Sequence, residues 1–260
     1  MNNENIYPSF KYQLKENIRP FLFYCLAFAA LEAVGFIFLE FAIGYVGMNK
    51  EDMEMGVVTG GSGAAPIMFF ILSLCVFREC FELMLQNGVS RRSMFAARLA
   101  ITLLMSLVFA VADMLFNLLQ SCVFTPLFGG QSYPVGYILG ELFGNRANPF
   151  MGVLRSFVLS FFALLFMGAL GYGLSVLFYQ LGKWARIAVF GGGAVLVFMV
   201  LPLLSVAPNP LVQAVVSALS AFAKLAFGSM PASVFTYTIL FVLTSGLTWL
   251  LLRRTPMKAA

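Results

Sequence analysis

Charged side chains are scarce in this sequence. They make up 10% of its 260 residues, against about a quarter in ordinary soluble domains. That inventory cannot furnish a water-facing surface, so a water-soluble globule is excluded. Histidine is absent altogether, which removes the commonest metal ligand and the usual general base near neutral pH. Cysteine is sparse. Cys25 and Cys75 fall inside apolar runs, and Cys80 and Cys122 fall toward opposite ends of the runs that follow, so no intrachain disulfide is expected. Neither Gly60-Gly61-Ser62-Gly63 nor Gly191-Gly192-Gly193 leads into the Gly-Lys-Ser/Thr of a phosphate-binding loop. The chain is therefore not expected to hydrolyse ATP. The Gly191–Gly193 triplet is read as small residues that let helices pack closely.

What the sequence has in abundance is apolar surface. Hydrophobic residues make up 61% of it, 29 of them Phe, and the mean hydropathy is +0.91. The apolar runs are continuous and not alternating, which fits spanning helices and not a membrane barrel. A helix needs roughly 20 apolar residues to cross the hydrocarbon core. Six runs are expected to do so: Phe21–Val46, Ala64–Phe77, Phe95–Leu119, Met151–Phe178, Ile187–Val206 and Ala232–Leu252. The second is the shortest. Phe21–Val46 is longer than a signal-peptide core, and with no small-residue cleavage site after it, it reads as a span. The expected architecture is an all-α integral membrane protein. It comprises a 1–20 amphipathic segment, a 21–252 six-helix domain with a 78–94 loop, and a basic 253–260 tail.

Orientation follows from the excess of Lys and Arg on the cytoplasmic side. With both termini inside, Lys11, Lys15, Arg19, Arg78, Arg91, Arg92, Arg98, Lys183, Arg186, Arg253, Arg254 and Lys258 are cytoplasmic. Lys50, Arg146, Arg155 and Lys224 are outside, where Glu51, Asp52 and Glu54 make the first loop acidic. The net charge of +5 is thus spread over loop ends. It does not form the clustered face that nucleic acid would require.

Between the second and third spans, Phe77, Phe81, Met84 and Leu85 recur at helical spacing, with Arg78, Glu79 and Glu82 on the remaining surface. Asn87-Gly88 is a helix stop, and Ser90 is placed to cap the next helix. The segment reads as a short amphipathic helix at the membrane surface, a sharp turn and a basic helix entry. An interfacial connector whose arginines only set topology would read the same way.

The stretch Phe77–Arg98, with its Asn87-Gly88-Val89-Ser90-Arg91-Arg92 core and following Phe95, resembles the cytoplasmic loop of ABC type-2 (type V exporter) permeases of the short six-helix bacterial form. The rest of the chain resembles that family only in architecture. The resemblance implies that the helix before the turn is a coupling helix docking on a separate ABC ATPase, with Arg78, Glu79, Glu82, Asn87, Gly88, Ser90, Arg91 and Arg92 at or near the contact. It implies two ATPase subunits, which bind the ATP and Mg, and a second permease chain, identical or paralogous, in a bacterial cytoplasmic membrane. The Tyr7–Arg19 segment puts Tyr7, Phe10, Leu14 and Ile18 on one face, flanked by Lys11, Lys15 and Arg19. It reads as an interfacial helix and is similar to the family's connecting helix. Pro210–Phe227, bounded by Pro208, Pro210, Gly228 and Pro231, is similar to its outer-side or re-entrant helices.

Ionisable groups inside spans are candidates for function. Glu32 lies near the middle of the first span and Glu40 toward its outer end. Asp113 and Asn117 lie in the outer half of the third, and Arg155 one turn into the fourth. Asp113 is about 27 Å along its helix from Phe95 at 1.5 Å per residue, a depth that suits an ion pair with Arg155. Glu32 has no cation at its depth. It faces a water-filled pathway, a partner subunit or a polar neighbour, or else is protonated. The expected function is that of an exporter permease for an amphipathic peptide, lipid or drug-like cargo, with no catalytic, cofactor or metal residues of its own. A secondary transporter and a membrane assembly or sensor subunit are the alternatives. The first of these would show internal repeats with interrupted helices at matching positions.

Overall fold

A computed structural model describes the backbone of residues 6–46, 60–128, 149–181 and 224–255, together with 185, 192, 217, 221 and 222. Side chains are described for most of these, those at 6, 28, 31–46, 60–64, 78–79, 116–128 and 149–153 excepted. Among the described residues the fold is all-helical: α1 Ile6–Val46, α2 Gly60–Cys75, α3 Phe77–Gln86, α4 Arg91–Phe128, α5 Pro149–Gln180 and α6 Met230–Arg254. Three stretches are long and apolar enough to cross a membrane: Arg91–Leu115, Leu154–Gln180 and Met230–Arg254. The chain is a helical protein with membrane-spanning character.

The boundaries differ from expectation at two places. The 1–20 segment is not separate from the first span, because α1 runs unbroken for 41 residues through Pro20. A proline costs a helix one backbone donor and some strain, and the chain tolerates that here. The second span begins earlier and stops sooner than Ala64–Phe77. At 16 residues, α2 is only about 24 Å long. It bends at Val76 and continues almost directly into α3, with Val76 N–H bonding the Leu72 carbonyl at 3.2 Å and Cys80 N–H the Val76 carbonyl at 3.4 Å. The expected fifth span, Ile187–Val206, and most of Pro210–Phe227 lie outside the described residues.

Helix α5 is the hub. It packs on α2, α4 and α6, and on α3 near its end. Between apolar helices in lipid there is little hydrophobic driving force, so close van der Waals fit decides association. Gly168, Gly171 and Gly173 supply that fit. A Cβ on Gly168 would overlap the Phe69 ring, one on Gly171 the Phe70 carbonyl oxygen, and one on Gly173 would stand 2.6 Å from Thr248 Oγ1. The triplet Gly191–Gly193 expected to do this lies, apart from Gly192, outside the described residues.

The contacts also fix relative direction. Ser175 Oγ donates to the Leu74 carbonyl at 2.6 Å, while Phe69 meets Gly168, so α2 and α5 are parallel. Phe166 pairs with Tyr237, and Gln180 Nε2 reaches the Leu251 carbonyl at 2.8 Å, so α5 and α6 are parallel as well. Helices α1 and α4 are parallel to each other, with Gln13 at Met94 and Tyr24 on Phe109. They oppose α5, because Arg98 meets Tyr172 while Leu164 joins the Phe109 cluster.

Two cores result. One surrounds Phe109, against which Phe21, Tyr24 and Phe69 lie with ring centroids 4.8, 5.4 and 5.1 Å away. The other gathers Phe77, Phe81, Met84, Met94, Tyr172, Val176, Tyr179 and Leu252 at the end that carries the 87–90 turn.

The glycine approach gives a direct test. Gly171→Leu drives a side chain into the backbone of α2 and is expected to destabilise by about 1–3 kcal/mol. Gly246→Ala, at a position open to 4 Å, should change little. Thermal unfolding in detergent compares the two. Equal melting temperatures for both variants would refute the close packing.

Candidate functional site

The 77–92 segment folds as its residue types require. Phe77, Phe81 and Met84 are buried and Leu85 partly so, on one face of α3. Their seat is aromatic: Phe77 lies 5.4 Å from Tyr172 and 5.7 Å from Tyr179, and Phe81 lies 5.4 Å from Tyr179. The apolar face expected at the membrane surface is thus spent on the chain's own α5 and α6.

At the end of α3, Gly88 takes φ of 72°, a conformation that costs an L side chain roughly 1–2 kcal/mol. Its N–H bonds the Leu85 carbonyl, and that of Val89 the Met84 carbonyl, each at 3.0 Å. This is the two-bond Schellman closure of a helix end. Asn87 Nδ2 adds a bond to the Leu83 carbonyl at 2.8 Å. Two residues on, Ser90 Oγ accepts from the Ser93 N–H at 3.2 Å, the N-cap bond that starts α4. Stop and start signals are separated by one residue, so the direction of the turn is set by backbone hydrogen bonds.

Three neighbours clamp the turn. Arg91 Nη1 donates to the Arg253 carbonyl at 2.9 Å and the Leu252 carbonyl at 3.4 Å. A cation there satisfies the open carbonyls of the last turn of α6. Gln180 Nε2 holds the same helix end through the Leu251 carbonyl and through Thr255 Oγ1 at 2.7 Å. From the opposite side, α1 presents Ser9, Gln13 and Asn17, all buried. Ser9 Oγ donates to Met84 Sδ at 3.2 Å, and Gln13 Nε2 to the Met94 carbonyl at 3.5 Å. This corrects the expectation for α1. Ser9, Gln13 and Asn17 fill the side against the turn, Phe10 and Leu14 are half-buried beside them against the Phe109 cluster, and Tyr7 and Ile18 are exposed.

The expected site residues therefore part company. Gly88, Ser90 and Arg91 have defined structural tasks. Leu83, Gln86, Asn87, Gly88, Ser90 and Arg92 are exposed on the outer surface of the turn. Glu82 is half-buried and engaged with a neighbour. The side chains of Arg78 and Glu79 lie outside the described residues, as do those of Glu32, Glu40 and Asn117. Asp113 is buried, and its carboxylate acts electrostatically on the Tyr24 hydroxyl of α1. Arg155 is half-buried on α5.

Sequence reasoning missed Arg98. It was counted among surface cations, yet it is 3% exposed. Its guanidinium lies over Tyr172, 5.0 Å from the ring centroid. Among the described residues, Nε and Nη1 have no hydrogen-bond partner, and neither do Asn17 Oδ1 nor Ser73 Oγ. A cation–π contact contributes up to about 2 kcal/mol when desolvated, whereas a buried ion costs several kcal/mol. A counting rule for Lys and Arg cannot distinguish such an arginine; its place seven residues into a helix was the only signal.

No family model, curated protein or solved structure matches this chain.

Two outcomes follow for the turn and its arginine. Ser90→Ala should cost about 1 kcal/mol and Gly88→Ala about 1–2 kcal/mol, with Ser90→Asp close to the parent, measured by thermal unfolding. Arg98→Met, which keeps volume and removes an unpaired buried charge, is expected to be neutral or stabilising. Tyr172→Leu should destabilise. A large stability loss in Arg98→Met would show that the guanidinium is paired.

Proposed function

We propose that the chain is the transmembrane subunit of an ATP-driven ABC exporter in a cell membrane, working as a dimer with an identical or paralogous chain. Two separate ATPase subunits supply ATP hydrolysis. The observation that carries this reading is the construction of the 77–92 turn. Its apolar face is buried, its ends are closed by a Schellman motif and an N-cap, and three helices hold it. What remains outside is a compact surface of Leu83, Gln86, Asn87, Ser90 and Arg92. A flexible topological loop needs none of this. A segment that must transmit force from a docked partner needs all of it, since a soft contact would dissipate the partner's movement.

The helix directions support six crossings. Because α5 and α6 are parallel, the chain between them has to return across the same thickness, which agrees with a span at Ile187–Val206. In the proposed cycle ATP-driven closure of the ATPases moves the turn, and α5, bound to it through Tyr172 and Tyr179, carries that movement into the bundle. For the nucleotide to drive transport it must favour one state differentially. The exposed phenylalanines and leucines suit an amphipathic cargo, and Asp113, Glu32, Glu40, Asn117 and Arg155 are the polar candidates along its route.

Leu83→Glu and Arg92→Glu test the docking face, since both positions are exposed and neither change disturbs packing. Each is expected to fold with the parent's melting temperature and to lose at least tenfold in co-purified ATPase and in ATP-dependent transport. Wild-type levels of both in the double variant would refute the proposal.

A further inference from the structure

Helix α1 has a second face, opposite its polar inward stripe, that none of the described residues covers. Lys11, Lys15 and Arg19 are all exposed and stand four residues apart, in line along one side of a helix. The same side continues into Ile18, Leu22, Phe23 and Leu26, the last three 59–70% exposed. Tyr7 stands exposed at its free end. Glu16 is half-buried and lies off the stripe, so no acid of α1 interrupts the three cations. Cations give way to apolar side chains at Arg19, without a break in the helix.

We infer that this face is a binding site for an anionic phospholipid, with the phosphate held by Lys15 and Arg19, Lys11 reaching in from the aqueous edge, and an acyl chain along Ile18, Leu22 and Leu26. The inference rests on residues 21–46 spanning the membrane. The spacing suits it. At 1.5 Å per residue, Arg19 lies about 3 Å, Lys15 about 9 Å and Lys11 about 15 Å before Phe21. The headgroup layer on each side of the hydrocarbon is about 5–8 Å thick, so Arg19 lies within it, Lys15 at its outer edge with its long side chain able to reach in, and Lys11 on the aqueous side. A soluble acidic partner would explain the cations but not the row of exposed apolar side chains that prolongs them. A zwitterionic lipid would explain the apolar row but not three unbalanced charges. Each basic residue near an anionic surface is worth about fivefold in affinity, so three acting together prefer an anionic headgroup by roughly a hundredfold.

The test is the melting temperature of the full chain in neutral detergent, titrated with phosphatidylglycerol or phosphatidylcholine. Phosphatidylglycerol should raise it by several degrees more than phosphatidylcholine, since a ligand of the native state stabilises it in proportion to occupancy, and the difference should shrink between 0.05 and 0.5 M salt. Lys11→Gln/Lys15→Gln/Arg19→Gln should match the parent in phosphatidylcholine and lose the phosphatidylglycerol response. Arg92→Gln/Arg253→Gln/Arg254→Gln, which removes three exposed cations elsewhere at the same end, should keep it. The inference is overturned if the parent answers both lipids equally, if the two triple variants lose the response alike, or if inorganic phosphate alone reproduces it. A chain recovered from cells without detergent would refute the membrane span itself, a failure distinct from these.

Discussion

Helix α5 can lie close against both α2 and α6 because at three levels it has no side chain to keep them away. Gly168 receives the Phe69 ring, Gly171 the backbone of α2 and Gly173 the hydroxyl of Thr248. Everything at the turn end depends on that approach. Between and beyond the last two of these glycines, the same helix places Tyr172, Val176 and Tyr179 under α3, and Gln180 at the end of α6. If α5 were held off by even a methyl group, the aromatic seat of the turn and the grip on the α6 carbonyls would shift together. In a bilayer, where helices gain little by leaving lipid for one another, such geometric fit is the available source of specificity.

The second dependence is polar. The turn end is held by hydrogen bonds from Ser9, Gln13, Arg91 and Gln180, each reaching a carbonyl or thioether on another helix. Their number and convergence make the turn a rigid extension of α5, α6 and α1. Arg98 stands just inside this layer with its guanidinium on Tyr172 and two nitrogens unpartnered. Its neighbour Tyr172 also touches Phe77 of the turn.

Much of this was legible in the sequence, and the failures have physical reasons. Asn87-Gly88 and Ser90 announced the turn because caps depend on local chemistry that tertiary context rarely overrides. The apolar runs announced α2, α5 and α6 to within four residues at each end, while α4 begins four residues before and ends nine residues after the expected Phe95–Leu119. The apolar face of α1 divides, with Phe10 and Leu14 on the core and Tyr7 and Ile18 exposed, because an amphipathic pattern tells which residues share a side, not which side the protein covers. At the membrane boundary a polar stripe can pack inward on a polar turn while cations and leucines face outward. The glycines of α5 carry their own signal, three small residues within six positions, in a run with no adjacent glycines to mark it. Arg98 was illegible because positive-inside counting assigns every basic residue near a span end the same role.

The most direct measurement of the central claim is the accessibility of the turn's outer surface. Leu83→Cys in a background lacking the four native cysteines would be treated with a membrane-impermeant maleimide, in right-side-out and inside-out vesicles, with and without the partner ATPase. The account predicts labelling only in inside-out vesicles and strong protection when the ATPase is bound. Labelling in right-side-out vesicles, or labelling that the ATPase leaves unchanged, would contradict it.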